Sequence, residues 1–139
     1  MTGNEPIVIA AAVVINPQGH MLTVRKRGTV EFMQPGGKID AGESPVEALA
    51  RELREEIGLS LPDPERISRH GVFRAPAAHQ PGRVVEAHVF AFEHGSPVAA
   101  QAEIEELAWV DPAAPAALPF AALTLDLMLP LARELAGKR

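Results

Sequence analysis

Three glutamates within one short segment are the strongest candidates for chemistry in this sequence. Glu52, Glu55 and Glu56 stand at positions i, i+3 and i+4, and an α-helix places such residues within an arc of about 100°. We expect them on one exposed face, where like charges repel and destabilise the helix unless a cation lies among them. Carboxylate oxygens gathered in this way suit magnesium, with manganese as the alternative ion.

Local signals predict the helix that carries these glutamates. Ser44 is a suitable N-cap, Pro45 occupies the first helical position, and Glu47 completes a capping box three residues after the serine. Gly58 ends the helix, because glycine adopts the left-handed C-terminal cap without strain. Apolar residues recur at spacings of three and four and predict a stripe that packs on a sheet: Val46, Leu49, Leu53 and Ile57.

The alternative for three glutamates alone is an acidic helix face in solvent. The surrounding residues favour a functional motif, because Gly37, Glu43 and the run from Arg51 to Leu59 match the Nudix signature at every fixed position. The matching segment reads GKIDAGESPVEALARELREEIGL. Such a match arises by chance on the order of once in a billion starting points at average residue usage. The chain therefore resembles the Nudix hydrolase family.

The resemblance implies an alpha/beta/alpha sandwich, of α/β class, with a mixed sheet between helices. It also implies hydrolysis, by metal-activated water, of a diphosphate bond in a small-molecule nucleoside diphosphate derivative. A nucleoside triphosphate removed in a house-cleaning role is the first expectation, and ADP-sugars and dinucleoside polyphosphates are alternatives. The rival is a Nudix fold without catalysis that senses nucleotides or binds proteins, although such members usually lose signature glutamates and none is missing here.

The resemblance also assigns roles at the metal site. It implies that Glu52, Glu55 and Glu56 are catalytic carboxylates that bind the metal, with the carbonyl of Gly37 as a further ligand. Glu52 is the leading candidate for general base. Relatives often recruit another acidic residue from outside the signature, and Glu103 is the candidate here, as an extra ligand or alternative base.

Neighbouring positions receive supporting roles. Arg51 is expected to orient a glutamate by a charge-assisted hydrogen bond, and Glu43 to brace the loop against the helix start. Gly36 and Gly37 permit tight backbone paths close to metal and phosphate. Lys38 could neutralise phosphate, with a solvated lysine as the alternative.

Three residues before the signature are candidates for substrate binding. The family often places phosphate-binding arginines where Arg25 and Arg27 stand, and the alternative is a charged strand end. Phe32 occupies a position that is often aromatic in relatives, so it could stack on a base. Packing in the core or loop is its alternative role.

The rest of the sequence predicts strands around the helix and a second helix at the end. Gly28 to Gly42 reads as a long loop with a short extended piece. Pro130 should kink or divide the terminal helix, Phe120 to Leu135. The expected strands are Ile7 to Ile15, Met21 to Arg25, Ile67 to Arg74, Val84 to Glu93 and Leu107 to Val110.

Length and composition narrow the class of protein. The 139 residues fit a single domain, 1–139. A net charge of -5 argues against binding nucleic acid polymers. The absence of cysteine excludes thiolate nucleophiles and zinc-thiolate sites.

No apolar run has the length of a bilayer-spanning helix. We therefore expect no membrane partner and a cytoplasmic location, and a homodimer is left open. The five histidines show no metal-ligand spacing, and only His79 lies in an expected substrate loop, Ala75 to Arg83.

Overall fold

The computed structural model describes residues 5–77 and 80–138, so His79 lies outside the described part of the chain. None of the helices in these ranges is long and apolar enough to cross a membrane. The described residues form seven strands and two α-helices: β1 Ile7–Ile15, β2 Met21–Lys26, β3 Phe32–Met33, β4 Gly36–Lys38, α1 Pro45–Ile57, β5 Ser68–Pro76, β6 Val84–Glu93, β7 Ile104–Val110 and α2 Leu129–Ala136.

Strand β1 is the centre of a mixed seven-stranded sheet. It pairs in parallel with β6 along its whole length, from Ile7 opposite Val85 to Ile15 opposite Glu93. All the other pairings are antiparallel: β2 and β4 with β1, β3 and β7 with β2, and β5 with β6. Strand β4 lies against the first half of β1, where Gly37 is opposite Ala10.

The alternation of β1 builds the two sides of the core. Ala10, Ala12 and Val14 pack with the apolar stripe of α1, whereas the intervening residues pack with the C-terminal helix. A strand buried on both faces reads as a continuous apolar run, which is why its sequence lacks polar alternation. Helices on both faces of a mixed sheet form the predicted alpha/beta/alpha sandwich.

Helix α1 begins and ends as its sequence predicts. The Ser44 side chain accepts a hydrogen bond from the backbone N–H of Glu47 at 3.2 Å, and the Glu47 carboxylate accepts one from the backbone N–H of Ser44 at 2.8 Å. Gly58 ends the helix with φ 67°. This capping fixes the rotation of α1, and therefore the directions in which its three glutamates point.

The C-terminal helix changes type rather than breaking at Pro130. A π-helical turn, Thr124–Met128, leads directly into α2, and the N–H of Leu129 bonds to the carbonyl of Thr124. Proline lacks an N–H and its ring clashes with the carbonyl four residues earlier in a regular helix. The wider turn accommodates the proline, so the predicted division appears as a change from a π-helical to an α-helical segment.

Two other expectations need adjustment. The predicted loop from Gly28 to Gly42 contains two short strands, β3 and β4, because its backbone pairs with β2 and β1. Strand β7 begins at Ile104 instead of Leu107, because Glu106 lies opposite Arg25 and extends the pairing with β2. Glu105 and Glu106 therefore belong to the strand.

Candidate metal centre

Glu56 is buried, which corrects the expectation of an exposed carboxylate. Only 2% of the residue is accessible, although it lies on the acidic face of α1. One carboxyl oxygen accepts a hydrogen bond from the backbone N–H of Gly36 at 3.3 Å, and the other oxygen, Oε2, has no hydrogen-bond partner. Burial, and then the negative charge of Glu52, raise the pKa of Glu56 to about 8. The helix thus holds a desolvated carboxylate with unused ligand capacity.

Strand β4 approaches Glu52 so closely that a side chain at Gly37 would displace its carboxylate. A Cβ at Gly37 would lie 2.4 Å from the Glu52 carboxyl carbon. At Gly36, where φ is 141°, a Cβ would lie 2.1 Å from the carbonyl oxygen of Ala10. The two glycines therefore let β4 pass between β1 and the acidic face of α1, which brings the Gly37 backbone to the Glu52 carboxylate.

Arg51 links the glycine strand to the acidic face through three hydrogen-bonded groups. Its guanidinium donates two hydrogen bonds to Glu43, at 2.7 and 2.9 Å, one to Glu52 at 2.8 Å and one to the carbonyl of Lys38 at 3.0 Å. The hydrogen bonds from Arg51 lower the pKa of Glu43 to about 2, and those to Glu43 and Glu52 raise the pKa of Arg51. The charge-assisted hydrogen bond expected between Arg51 and a glutamate is present; its part in catalysis stays a prediction.

The structure brings two of the three glutamates close together. Glu52, with 16% of its side chain accessible, lies near enough to Glu56 for its negative charge to raise the pKa of that carboxyl group. The Glu55 side chain is 57% accessible and its carboxylate lies 3.6 Å from Arg51. Within residues 5–77 and 80–138, no three carboxylates or imidazoles converge closely enough to hold one ion. Glu55 therefore stands at the rim of the site.

The donor set nevertheless fits a divalent cation. Glu52 and Glu56 place two carboxylates side by side, and the unpartnered oxygen of Glu56 is buried where water does not compensate it. Desolvated negative charge of this kind is costly unless a cation or a proton neutralises it. All-oxygen donors next to a glycine backbone suit magnesium or manganese.

Lys26 is a cation at the site that sequence reasoning missed. It lines the pocket beside β4, and its charge opposes the rise in the pKa of Glu56 that burial causes. Alternation along β2 was the available signal, because Leu22 and Val24 pack on the α1 side and Lys26 continues that side. Its ammonium lies 3.7 Å from Glu103, which places Glu103 at the edge of the site.

Arg25 and Arg27 are not brought to the site. Arg25 pairs with Glu106 at 3.0 Å and donates to the carbonyl of Thr29 at 2.8 Å. Arg27 lies 3.5 Å from Glu105 and donates to the carbonyl of Ala102. Both arginines alternate with Lys26 along the chain and bond to groups of β7 and its approach, and their expected role in phosphate binding stays a prediction.

The outcome differs for the other two substrate candidates. Phe32 is only 5% accessible, so its buried ring offers little surface on which a base could stack, and its backbone bridges to Phe120. The alternative of core packing is therefore the observed one. Lys38 is exposed at the pocket, and only its backbone carbonyl is used by Arg51.

A pocket of about 210 Å³ adjoins the glutamates at Gly36 and Gly37. Its walls are mostly apolar, and two lysines and two glutamines add polar groups. A larger pocket of about 510 Å³ lies at the far end of β1 and β6, but neither Gly36 nor Gly37, the two glycines that contact Glu56 and Glu52, lines it. The smaller pocket is therefore the candidate substrate site. Its lining is Ile7, Ile9, Lys26, Met33, Gln34, Gly36, Gly37, Lys38, Pro76, Ala77, Gln80, Val85, Ala121 and Leu123.

Comparison with known families decides the classification. The NUDIX domain family matches residues 5–130 of the chain. The chain belongs to the Nudix family. The capped helix, the glycine strand and the signature glutamates all lie within the matched range.

Similar proteins agree with the classification at the level of family and fold. The chain is 40% identical to 8-oxo-dGTP diphosphatase of Haemophilus influenzae over 67 residues, 45% of this chain and 49% of that protein. It is 45% identical to RNA pyrophosphohydrolase of Halorhodospira halophila over 51 residues, 37% of this chain and 28% of that protein. It thus spans half or less of these relatives. The crystal structure of a MutT NUDIX hydrolase from Burkholderia pseudomallei shares the fold, with TM-score 0.76, 22% identity and coverage of 91% of this chain and 98% of that one.

Proposed function

We propose that this Nudix protein hydrolyses a phosphoric anhydride bond in a small-molecule nucleoside diphosphate derivative, with a nucleoside triphosphate as the first candidate substrate. The reaction would depend on magnesium, or on manganese in its place. ADP-sugars and dinucleoside polyphosphates are the alternative substrates. The cytoplasmic location and a homodimer stay predictions, as do the single domain spanning 1–139 and the absence of nucleic acid polymers and membranes as partners.

The observation that carries the proposal is the buried, half-satisfied carboxylate of Glu56 beside Glu52. A protein that used this helix only as a solvated face would leave both groups in water, where neither needs compensation. Instead Glu56 is buried, and the backbone of Gly36 and Gly37 lies close to the Glu52 and Glu56 carboxyl groups. The candidate substrate pocket is lined by the same two glycines. This arrangement favours a cation and a ligand that bind together.

The residues divide the chemistry between them. Glu52 and Glu56 would hold the cation, with Glu55, Glu103 and the Gly37 carbonyl as further candidate ligands. A bound divalent cation neutralises phosphate oxygens and lowers the pKa of a coordinated water. Glu52 is the candidate to accept the proton of the attacking water, in a step that forms one phosphorus–oxygen bond and breaks the anhydride bond.

Arg51 and the lysines support these groups without taking part in bond making. Arg51 holds the Glu52 carboxylate on the side of Gly37 through the 2.8 Å hydrogen bond, and its fork on Glu43 fixes the guanidinium. Lys26 and Lys38 line the end of the pocket that adjoins the glycines. Their ammonium groups are placed to offset the charge of a polyphosphate.

The test is release of phosphate or pyrophosphate across nucleoside triphosphates, nucleotide sugars and dinucleoside polyphosphates, with magnesium and with a chelator. We expect turnover of at least one substrate class, abolished by the chelator and restored by added magnesium. Turnover that survives the chelator would contradict the proposed role of the glutamates. Binding of nucleotides without turnover of any class would favour the catalytically silent sensing module.

A further inference from the structure

Gln34 and Thr124 form a buried polar pair in the wall of the candidate substrate pocket. Gln34 is 6% accessible and Thr124 is fully buried. The Thr124 hydroxyl donates to the Gln34 side-chain oxygen at 2.7 Å and accepts from the Gln34 backbone N–H at 3.3 Å. The pair joins the segment between β3 and β4 to the π-helical turn, 90 residues along the chain.

The two hydrogen bonds of the pair give the direction of the Gln34 amide. A threonine hydroxyl carries one proton, and in this pair it is donated to the amide oxygen while a lone pair receives the backbone N–H. The amide oxygen therefore faces Thr124 and the amide nitrogen faces away from it. Because Gln34 lines the pocket, this geometry leaves two N–H donors for whatever occupies it.

Among the described residues that line the pocket, no other neutral polar side chain is fixed by a buried hydrogen bond. Lys26 and Lys38 lie at the glycine end of the pocket. Gln80 is exposed, and its side-chain oxygen is 3.5 Å from Arg83. The remaining walls are aliphatic, including Ile9, Val85 and Leu123. The pocket therefore combines apolar walls with one fixed neutral donor.

The size of the pocket suits one part of a ligand. Pockets for complete small ligands commonly have volumes of about 300–1,000 Å³, whereas this one has about 210 Å³. Aliphatic walls suit a flat heterocycle, and the glycine end leads to the candidate cation site. A nucleotide fits both parts, with its base against the apolar walls of the pocket and its phosphates at the glutamates of the candidate cation site.

We propose that Gln34, positioned by Thr124, is the specificity-determining residue of this pocket and donates a hydrogen bond to a ring carbonyl of the base. The pocket then prefers bases with an oxo group, such as 6-oxopurines, over the corresponding amino bases. Opposite an amino group, two donors would meet and the buried amide would be left unsatisfied, which is costly. This inference takes one premise from the proposed function, which is that the ligand is a nucleotide.

The test is calorimetric binding of inosine monophosphate and adenosine monophosphate, which differ at the 6-position of the purine. We expect the wild-type chain to bind the inosine nucleotide about tenfold more tightly, the effect of about one hydrogen bond. In Gln34→Met and Thr124→Val we expect this ratio to fall close to one. In Gln34→Glu we expect the ratio to reverse, because a carboxylate oxygen replaces the amide nitrogen and accepts a hydrogen bond from the amino group.

Thr23→Val is the matched control. Thr23 is also fully buried and its hydroxyl donates to a backbone carbonyl, that of Ala108, at 2.8 Å, but it does not line the pocket. Losing that hydrogen bond should lower the melting temperature about as much as Thr124→Val and leave the binding ratio unchanged. Thr124→Ser, which keeps the hydroxyl, should retain the wild-type ratio and serves if the valine variant does not fold.

The results separate this inference from the proposed function. Equal binding of the two nucleotides by the wild-type chain, no binding of either, or a ratio unaltered in the Gln34 variants would overturn the role of Gln34. If triphosphates are hydrolysed with equal kcat/KM for the inosine and adenosine forms, the proposed function stands and Gln34 is not the determinant. Selective binding without hydrolysis of any nucleotide would support Gln34 and contradict the proposed function.

Discussion

Helix α1 with its glycine strand and the surface of β2 and β7 are both rich in charge, but they neutralise it differently. On the β2–β7 surface, Arg25 and Arg27 each face a glutamate, and these side chains are partly or largely exposed. On α1, Arg51 is shared between Glu43 and Glu52, and Glu56 is left buried with one oxygen unpartnered. The first region balances its own charges, whereas the second needs a proton or a cation on Glu56.

This difference explains why similar residue types have different roles. Exposed ion pairs contribute little, with a median of about 0–1 kcal/mol. A desolvated carboxylate without a counterion destabilises the fold by much more. The region of α1 and its glycine strand is therefore the one in which a loss of stability is offset by binding.

The largest effect is expected from Glu56→Gln. The change removes the charge from the buried ligand, so turnover should fall at least about a hundredfold. Folding should survive, because a neutral amide is easier to bury than a carboxylate. Steady-state kinetics with magnesium, on the substrate that the panel identifies, measures the loss.

Glu47→Gln is the matched control on the same helix. Glu47 is exposed, and glutamine preserves the capping box. Its turnover should stay within about twofold of wild type, since surface changes away from such features have small effects. Equal losses in the two variants would show that helix charge in general, and not the buried ligand, supports activity.

Arg51→Gln should have the next largest effect. The variant loses the hydrogen bond to Glu52 and the two hydrogen bonds to Glu43. Removal of such outer partners of metal ligands typically costs about 10–100-fold in activity or metal affinity. The control is Arg54→Gln, because Arg54 is exposed and lies about one helical turn after Arg51. If both variants keep full activity, Arg51 does not position Glu52.

A smaller effect concerns pH and stability. The native state holds a proton on Glu56 that the unfolded chain releases between the ordinary pKa of 4.5 and the raised pKa of about 8. The metal-free protein should therefore lose stability as pH rises through this window. Thermal melts should show a decrease on the order of several degrees, and magnesium should reduce it.

Glu56→Gln removes the titrating group and provides the check on this pH dependence. Its metal-free melting temperature should change less with pH than that of wild type over the same window. If wild type and variant show the same slope, burial of Glu56 is not the source.

The smallest effect is expected on the balanced surface. Arg27→Gln removes an exposed ion pair at 3.5 Å, so the free energy of unfolding should change by less than about 1 kcal/mol. Turnover should stay within about twofold, because Arg27 does not line the pocket. A tenfold rise in KM would instead restore this arginine as a phosphate-binding residue.

Local signals in the sequence predicted helix α1 and the strand bounds of β1 and β6, because caps and periodicity act over short distances. They did not predict that Glu56 is buried, since its burial depends on β4 folding over α1 from a segment that reads as a loop. They also favoured Arg25 and Arg27 over Lys26. Charge and position along the chain suggested the arginines, whereas the face of β2 decides which side chain reaches the pocket.

Titration of the metal-free protein with manganese most directly tests the central claim that Glu52 and Glu56 form a cation site. Electron paramagnetic resonance of free manganese, recorded for wild type, Glu56→Gln and Glu47→Gln, gives the bound fraction. We predict binding by wild type and Glu47→Gln, and at least about tenfold weaker binding by Glu56→Gln. Equal manganese affinity in all three proteins would contradict the claim.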